Sequence, residues 1–152
     1  MLAELLTNLS AISNIATMLA VIVAAYQLYL LHKQSVTNFE DDFAKEYREL
    51  ASKLPIKAFL GDAFSNADIK KHLDEMYHYF DLCNEQAFHF KSGRISRKTW
   101  NFWLDGISSN MCRPAFSRAW NVVASRSNND FSELRELFPP NISDVSNVII
   151  DK

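Results

Sequence analysis

A long apolar stretch opens the chain. No charged side chain occurs between Leu5 and Leu31, and the core of this stretch, Ala11–Leu31, is apolar over a length that fits a bilayer. A helix needs about 20 such residues to cross roughly 30 Å of hydrocarbon. Tyr26 and Tyr29 lie where aromatic side chains anchor a helix at the membrane interface. The pattern therefore predicts a transmembrane anchor within residues 1–35.

Two alternatives compete with a spanning helix. A cleaved signal peptide would carry basic residues ahead of its apolar segment, but here Glu4 is the sole charged side chain in that position. A buried or interfacial helix is the stronger alternative, because polar residues such as Asn14 and Gln27 dilute the hydrophobicity. For orientation, Lys33 follows the stretch while no Lys or Arg precedes it. This charge bias favours a single-pass protein with its C-terminal domain in the cytoplasm.

Small and weakly polar residues recur along the anchor at alternating spacings of three and four, which places them on one face of a helix. In lipid, helices associate where small side chains allow close backbone approach and polar groups form interhelical hydrogen bonds. The pattern predicts self-association or a partner helix; chance, or a groove for the protein's own domain, is the alternative. We call these residues the seam: Ser13, Thr17, Ala20, Ala24 and Gln27, with Ser10 and Leu31 at its two ends.

Helical periodicity continues beyond the anchor. Thr37 and Glu40 have the spacing of a capping box, although nothing in the intervening sequence prevents the anchor helix from continuing, and Pro55 should end this helix. Further helices are predicted to run from Ser65–Asn66 to Gly93, from Ser96, from Pro114 and over Asp130–Leu137. The predicted fold is all-α, with an N-terminal transmembrane helix followed by a small helical bundle domain over residues 36–138. Residues 139–152 are predicted to form a flexible tail.

Composition agrees with a helical fold and adds information on the cysteines. The 152 residues include three Gly and four Pro, too few for a turn-rich β protein. Cys83 and Cys112 are too few for a disulfide framework, and both fall in predicted helices. We therefore expect buried, reduced thiols, with a single disulfide as the alternative.

Charge is segregated along the chain. Residues 36–90 carry eleven acidic and six basic side chains, whereas residues 91–126 carry seven basic and one acidic. Four of the basic residues lead into the helix start at Ser96, where backbone N–H groups and the helix dipole favour an anion. Candidate anions are lipid headgroups, a nucleotide, or RNA stacked on Trp100; alternatively, the two halves neutralise each other within one fold or across a dimer. We call these four residues the basic segment: Lys91, Arg94, Arg97 and Lys98.

The sequence contains few signs of catalytic activity. The sequence has no P-loop, dinucleotide-binding fingerprint or nucleophile elbow. His78, Asp81, Glu85 and His89 have a 3-4-4 spacing that metal-binding helical bundles use, but no second helix supplies matching carboxylates. An ordinary solvated face is the alternative. We predict no metal site, no cofactor and no enzymatic activity.

The segment Phe80–Trp120 resembles a recurrent pattern in small bacterial proteins of unknown function. Those proteins have one N-terminal membrane helix and a helical cytosolic domain, so the resemblance implies a fold and a location in the bacterial inner membrane. Some of them are encoded beside mobile elements and phage-defence genes, which implies a role in antiviral defence. The matching positions are Glu85, Gly93, Ile95, Trp100, Trp103, Gly106, Pro114, Phe116 and Trp120.

These patterns together favour a membrane-anchored, self-associating interaction or effector protein. Its expected partners are membrane lipid, further copies of itself and an anionic ligand such as a nucleotide; nucleic acid is not expected. The alternative is a metal-dependent enzyme that uses the face formed by His78, Asp81, Glu85 and His89.

Overall fold

The computed structural model of the chain describes residues 1–127 and 130–141. Within these residues all regular structure is α-helical, which confirms the predicted fold class. The seven helices are α1 (Leu2–Lys53), α2 (Ile56–Leu60), α3 (Asn66–Lys71), α4 (Leu73–Lys91), α5 (Arg97–Met111), α6 (Pro114–Arg126) and α7 (Ser132–Leu137).

The chain divides into two compact units, Met1–Asn38 and Phe39–Lys152. The first unit consists of most of α1, and the second contains the remainder of α1 with α2–α7. The predicted boundary at residues 35 and 36 falls three residues before this division.

Helix α1 continues through the predicted capping box. Thr37 does not begin a helix; its Oγ1 donates a hydrogen bond to the carbonyl of Lys33, one turn earlier in α1 (3.2 Å). The prediction of a capping box is therefore wrong, whereas the predicted stop is confirmed, since α1 ends at Lys53, two residues before Pro55. Proline lacks the N–H that a helix interior requires, and it disfavours helical backbone at the preceding residue.

The helix predicted from Ser65 to Gly93 is interrupted at His72, so the prediction of one helix is wrong. Ser65 does cap α3: its Oγ accepts from the N–H of Asp68, and the Asp68 carboxylate accepts from the N–H of Ser65. The same carboxylate accepts from Lys57 Nζ at 2.7 Å. These hydrogen bonds, with that from Lys57 first, hold the pKa of Asp68 well below its usual range. This cap fixes the start of α3, and the non-helical backbone of His72 (φ −112°) separates α3 from α4.

Local signals set the ends of α4, α5 and α6. After α4, Gly93 adopts a positive φ of 71°, and its N–H bonds the carbonyl of Phe90 while the N–H of Arg94 bonds that of His89. This is the Schellman arrangement, which favours glycine because it requires left-handed backbone. Ser96 caps α5 by accepting from the N–H of Thr99, and Pro114 is the first residue of α6. Both predicted helix starts are confirmed.

The core of the second unit forms around α4, which contacts α3, α5, α6 and α7. Its centre is aromatic: the ring of Tyr79 lies 5.0 Å from Phe116, and Phe80 lies 5.2 Å from Trp120, both edge to face. Asn110 donates to the Tyr79 hydroxyl at 2.9 Å. Edge-to-face pairs add to the burial of these large rings and fix their orientation.

Both cysteines are free thiols, but their environments differ. Cys83 is buried in α4 as predicted, whereas Cys112 is exposed, so the prediction of a buried thiol is wrong for Cys112. Cys112 follows the last residue of α5, at the turn that leads into α6.

The start of the predicted tail bonds to the domain. Trp120 Nε1 donates to the carbonyl of Phe138 and the N–H of Asn141 donates to Asn121 Oδ1, both at 2.9 Å. The remainder of the predicted tail, residues 142–152, lies outside the described residues.

Candidate functional site

The apolar stretch of α1 is exposed from Leu9 to Leu31. The large apolar side chains from Leu9 to Leu31 have exposed fractions between 44% at Leu30 and 68% at Leu28. Within the described residues, one helix is long and apolar enough to cross a membrane, and it is this one; none of its apolar window is buried. The alternative of a buried core helix therefore does not describe this apolar window within the described residues.

All five seam residues are exposed on α1. Thr17 Oγ1 donates to the carbonyl of Ser13 at 2.9 Å, so its proton is used within the helix. The oxygen of Thr17 can still accept a hydrogen bond from another chain. The seam is thus a face of small residues that the described part of the chain leaves uncovered.

The basic segment is partly paired with acidic residues of the same domain. Lys91 Nζ lies 2.5 Å from Glu136 Oε2 of α7, and this hydrogen bond raises the pKa of Lys91. Arg94, Arg97 and Lys98 are exposed and form no ion pair with the residues that the structure describes. Lys91 thus already has a carboxylate partner, whereas the other three side chains are open to solvent.

A carboxylate of the protein occupies the N-terminus of α5. Glu40, on α1, accepts from the backbone N–H of Ser96 at 2.9 Å and from Thr99 Oγ1 at 2.8 Å. The negative charge is thus where the N–H groups and the dipole of α5 favour an anion. An external anion at this position would have to displace Glu40. The predicted stacking role of Trp100 is wrong, because its ring is buried and stacks on Phe90 at 4.9 Å.

The histidine and carboxylate residues of α4 do not form a metal-binding group among the described residues. His78, Asp81 and Glu85 are exposed, whereas His89 is buried against the rings of Phe39 and Phe43. His89 Nε2 lies 3.4 Å from Glu85 Oε1, which is a pair rather than a cluster.

A pocket of about 520 Å³ opens between α1, α4 and α5. All of its residues belong to the Phe39–Lys152 unit. Ring side chains from α1 and α5 line it, together with Gln86 and Cys83 of α4, and Arg48 and Asp105 contribute one charge of each sign. Pockets for small ligands typically measure about 300–1,000 Å³ and combine apolar walls with a few polar groups.

Gln86 is the unusual polar residue of this pocket. The residue is only 4% exposed, and no hydrogen bond to its amide is found in the described part of the chain. Its amide atoms are not among the fully buried polar atoms that lack a partner, so they face the pocket that the residue lines. By contrast, the buried amides Asn110 and Asn121 both have partners. An amide that faces a pocket without a protein partner is free to bond water or a ligand.

Gly106 forms an open part of the wall. It lies in the interior of α5, where glycine is less stable than alanine by about 1 kcal/mol. A Cβ built on Gly106 would meet no atom within 4 Å. Gly106 does not have a positive φ, so the backbone does not require glycine at this position. Its lack of a side chain leaves open space in the wall of the pocket.

The thiol of Cys83 contributes no charge to the pocket. Burial raises its pKa to about 12, so it remains protonated at neutral pH. A buried neutral thiol acts as a small apolar group rather than a nucleophile.

Sequence reasoning missed Glu40, Gln86 and the pocket. Glu40 is separated from Ser96 by 56 residues, so no local pattern connects them. Two features of the sequence could have indicated the pocket. One is Gln86, a polar residue among the apolar positions of α4, and the other is Gly106 in the interior of α5. Of the positions that carry the family resemblance, Trp100, Phe116 and Trp120 are buried core residues and Gly93 ends α4.

We expect Glu40→Ala to lower the free energy of unfolding by about 1–2 kcal/mol, because the Ser96 N–H and the Thr99 hydroxyl lose a charged acceptor. Glu46→Ala is the matched control, since Glu46 is an exposed residue of the same helix. Inorganic sulfate should stabilise the Glu40→Ala variant more than the wild type, as measured by thermal melting. Equal melting temperatures for the two alanine variants would contradict this role of Glu40.

Comparisons with protein-family models, with curated proteins and with solved structures find no match to this chain. The resemblance to small bacterial membrane proteins, and the role in antiviral defence that it implies, remain predictions.

Proposed function

We propose that the protein is a single-pass membrane protein in which α1 anchors a helical interaction domain to the bacterial inner membrane. The observation that carries the proposal is the exposure of every large apolar side chain from Leu9 to Leu31 in a stretch without charge. Exposed apolar patches larger than a few hundred Å² indicate a membrane or protein partner.

The dimensions of this stretch support a spanning helix. At 1.5 Å per residue, residues 11–31 extend over about 31 Å, close to the hydrocarbon thickness of roughly 30 Å. Tyr26 and Tyr29 stand towards one end, with His32 and Lys33 just beyond it. Lys33 lies directly after the stretch, and a basic residue at that position favours a cytoplasmic domain.

The domain's role in this proposal is to bind rather than to catalyse. Copies associate through the seam, which brings several domains together at the membrane surface. The exposed small residues of α1 support this step, because close approach of helix backbones in lipid needs small side chains.

The full-length protein should stay with the membrane pellet after washing with alkaline carbonate or high salt. A variant that begins at Val36 should be soluble and folded, because it retains Phe39, Phe43 and Leu50, which pack in the domain. Sedimentation of membranes and circular dichroism of the truncated domain measure the two outcomes. Release of the full-length protein by carbonate would exclude a spanning helix.

Ala20→Leu and Ala24→Leu should each weaken association of the full-length protein in lipid about tenfold, because the larger side chains separate the helix backbones. Leu19→Ile and Val23→Ile are matched controls on other positions of α1 and should have little effect. Energy transfer between labelled copies in lipid nanodiscs measures the association. If all four variants associate equally, the seam is not the contact face.

A further inference from the structure

The pocket between α1, α4 and α5 is formed entirely within the domain, so it does not depend on the membrane anchor. Its walls contain the rings of Tyr47, Phe102 and Trp103. Phe102 lines the pocket while remaining 77% exposed, so it marks the open side. Flat aromatic walls favour a planar ligand, because rings pack face to face or edge to face with other rings.

Gln86 determines what such a ligand must carry. Its carboxamide offers one acceptor oxygen and an NH₂ donor, and neither has a partner among the described residues. A purely apolar ligand would cover this amide and leave both groups unsatisfied. A ligand that presents a donor and an acceptor side by side on one edge would satisfy both.

The charges around the pocket indicate that the ligand is neutral. Arg48 and Asp105 are both exposed and carry opposite charges, and no other ionised side chain of the described residues lines the pocket. A carboxylate or phosphate would be attracted by the first and repelled by the second. The pocket thus differs in preference from the basic segment, which lies outside it.

We propose that this pocket binds a nucleobase-type ring: an uncharged, planar heteroaromatic molecule that pairs with Gln86 through an adjacent donor and acceptor. Glutamine forms such a two-bond pair with adenine, through the amino group and the neighbouring ring nitrogen. The aromatic side chains pack on the ring, and the space beside Gly106 accommodates it.

The test uses the full-length protein in lipid nanodiscs and two sets of probes. Adenosine, guanosine, cytidine and uridine carry the donor–acceptor edge, whereas indole has a similar planar shape without it. Binding is measured by calorimetry and by saturation-transfer nuclear magnetic resonance. We expect at least one nucleoside to bind with a submillimolar Kd.

Two pairs of variants locate the site. Gln86→Leu should weaken nucleoside binding about tenfold, because it removes the donor and the acceptor, while leaving indole binding unchanged. Gly106→Leu should abolish binding by filling the space, whereas Gly106→Ala, the matched control, should retain binding and stabilise α5.

Three results would overturn the proposal. One is the failure of every nucleoside to bind the wild type. Another is nucleoside binding that Gln86→Leu does not weaken, since the amide would then play no part. The last is dissociation of oligomers by Gly106→Leu in a protein that binds no probe, which would assign the pocket to a second copy of the chain.

Discussion

Apolar side chains along α1 between Leu9 and Leu31 must leave water, and the rest of the account depends on this constraint. A buried Leu, Ile, Val or Met side chain gains about 1.5–3 kcal/mol over an exposed one. The stretch contains thirteen large apolar side chains, all of them exposed. Because the same helix continues to Lys53, its later residues instead bury Phe43 and Leu50 in the domain. One helix thus has two environments, and the change between them falls near Asn38 and Phe39.

Within the domain, some acidic side chains contact helix termini or basic side chains that are distant in the sequence. Glu40 of α1 satisfies the N-terminus of α5, and Glu136 of α7 pairs with Lys91. These contacts belong to the alternative in which the acidic and basic parts of the sequence neutralise each other within one fold. Glu40 thereby occupies the N-terminus of α5, which is why the ligand site that we propose is the separate pocket lined by Gln86.

Helix ends could be predicted from the sequence where the residues that form the cap are neighbours in the chain. Ser96 and Pro114 mark helix starts, and Gly93 supplies the left-handed residue that ends α4. Contacts between distant helices could not be predicted in this way. Thr37 and Glu40 have capping-box spacing, but Glu40 instead accepts a hydrogen bond from Ser96, 56 residues later in the chain. The break at His72 and the exposure of Cys112 likewise depend on how neighbouring helices pack. The pocket is formed by residues of three helices, so it could not be predicted from a single residue such as Gly106.

The most direct measurement of the central claim is the depth of each residue of the apolar stretch in a bilayer. Single cysteines at successive positions from 11 to 31 of the full-length protein would carry spin labels. Cys112→Ser removes the exposed native thiol, and the other native cysteine, Cys83, is buried. The ratio of accessibility to oxygen and to a water-soluble nickel complex reports depth. A spanning helix predicts one maximum near residue 21 and a steady decline towards both ends. A depth that oscillates with a period of about 3.6 residues would contradict the account, because that pattern belongs to a helix lying along the membrane surface.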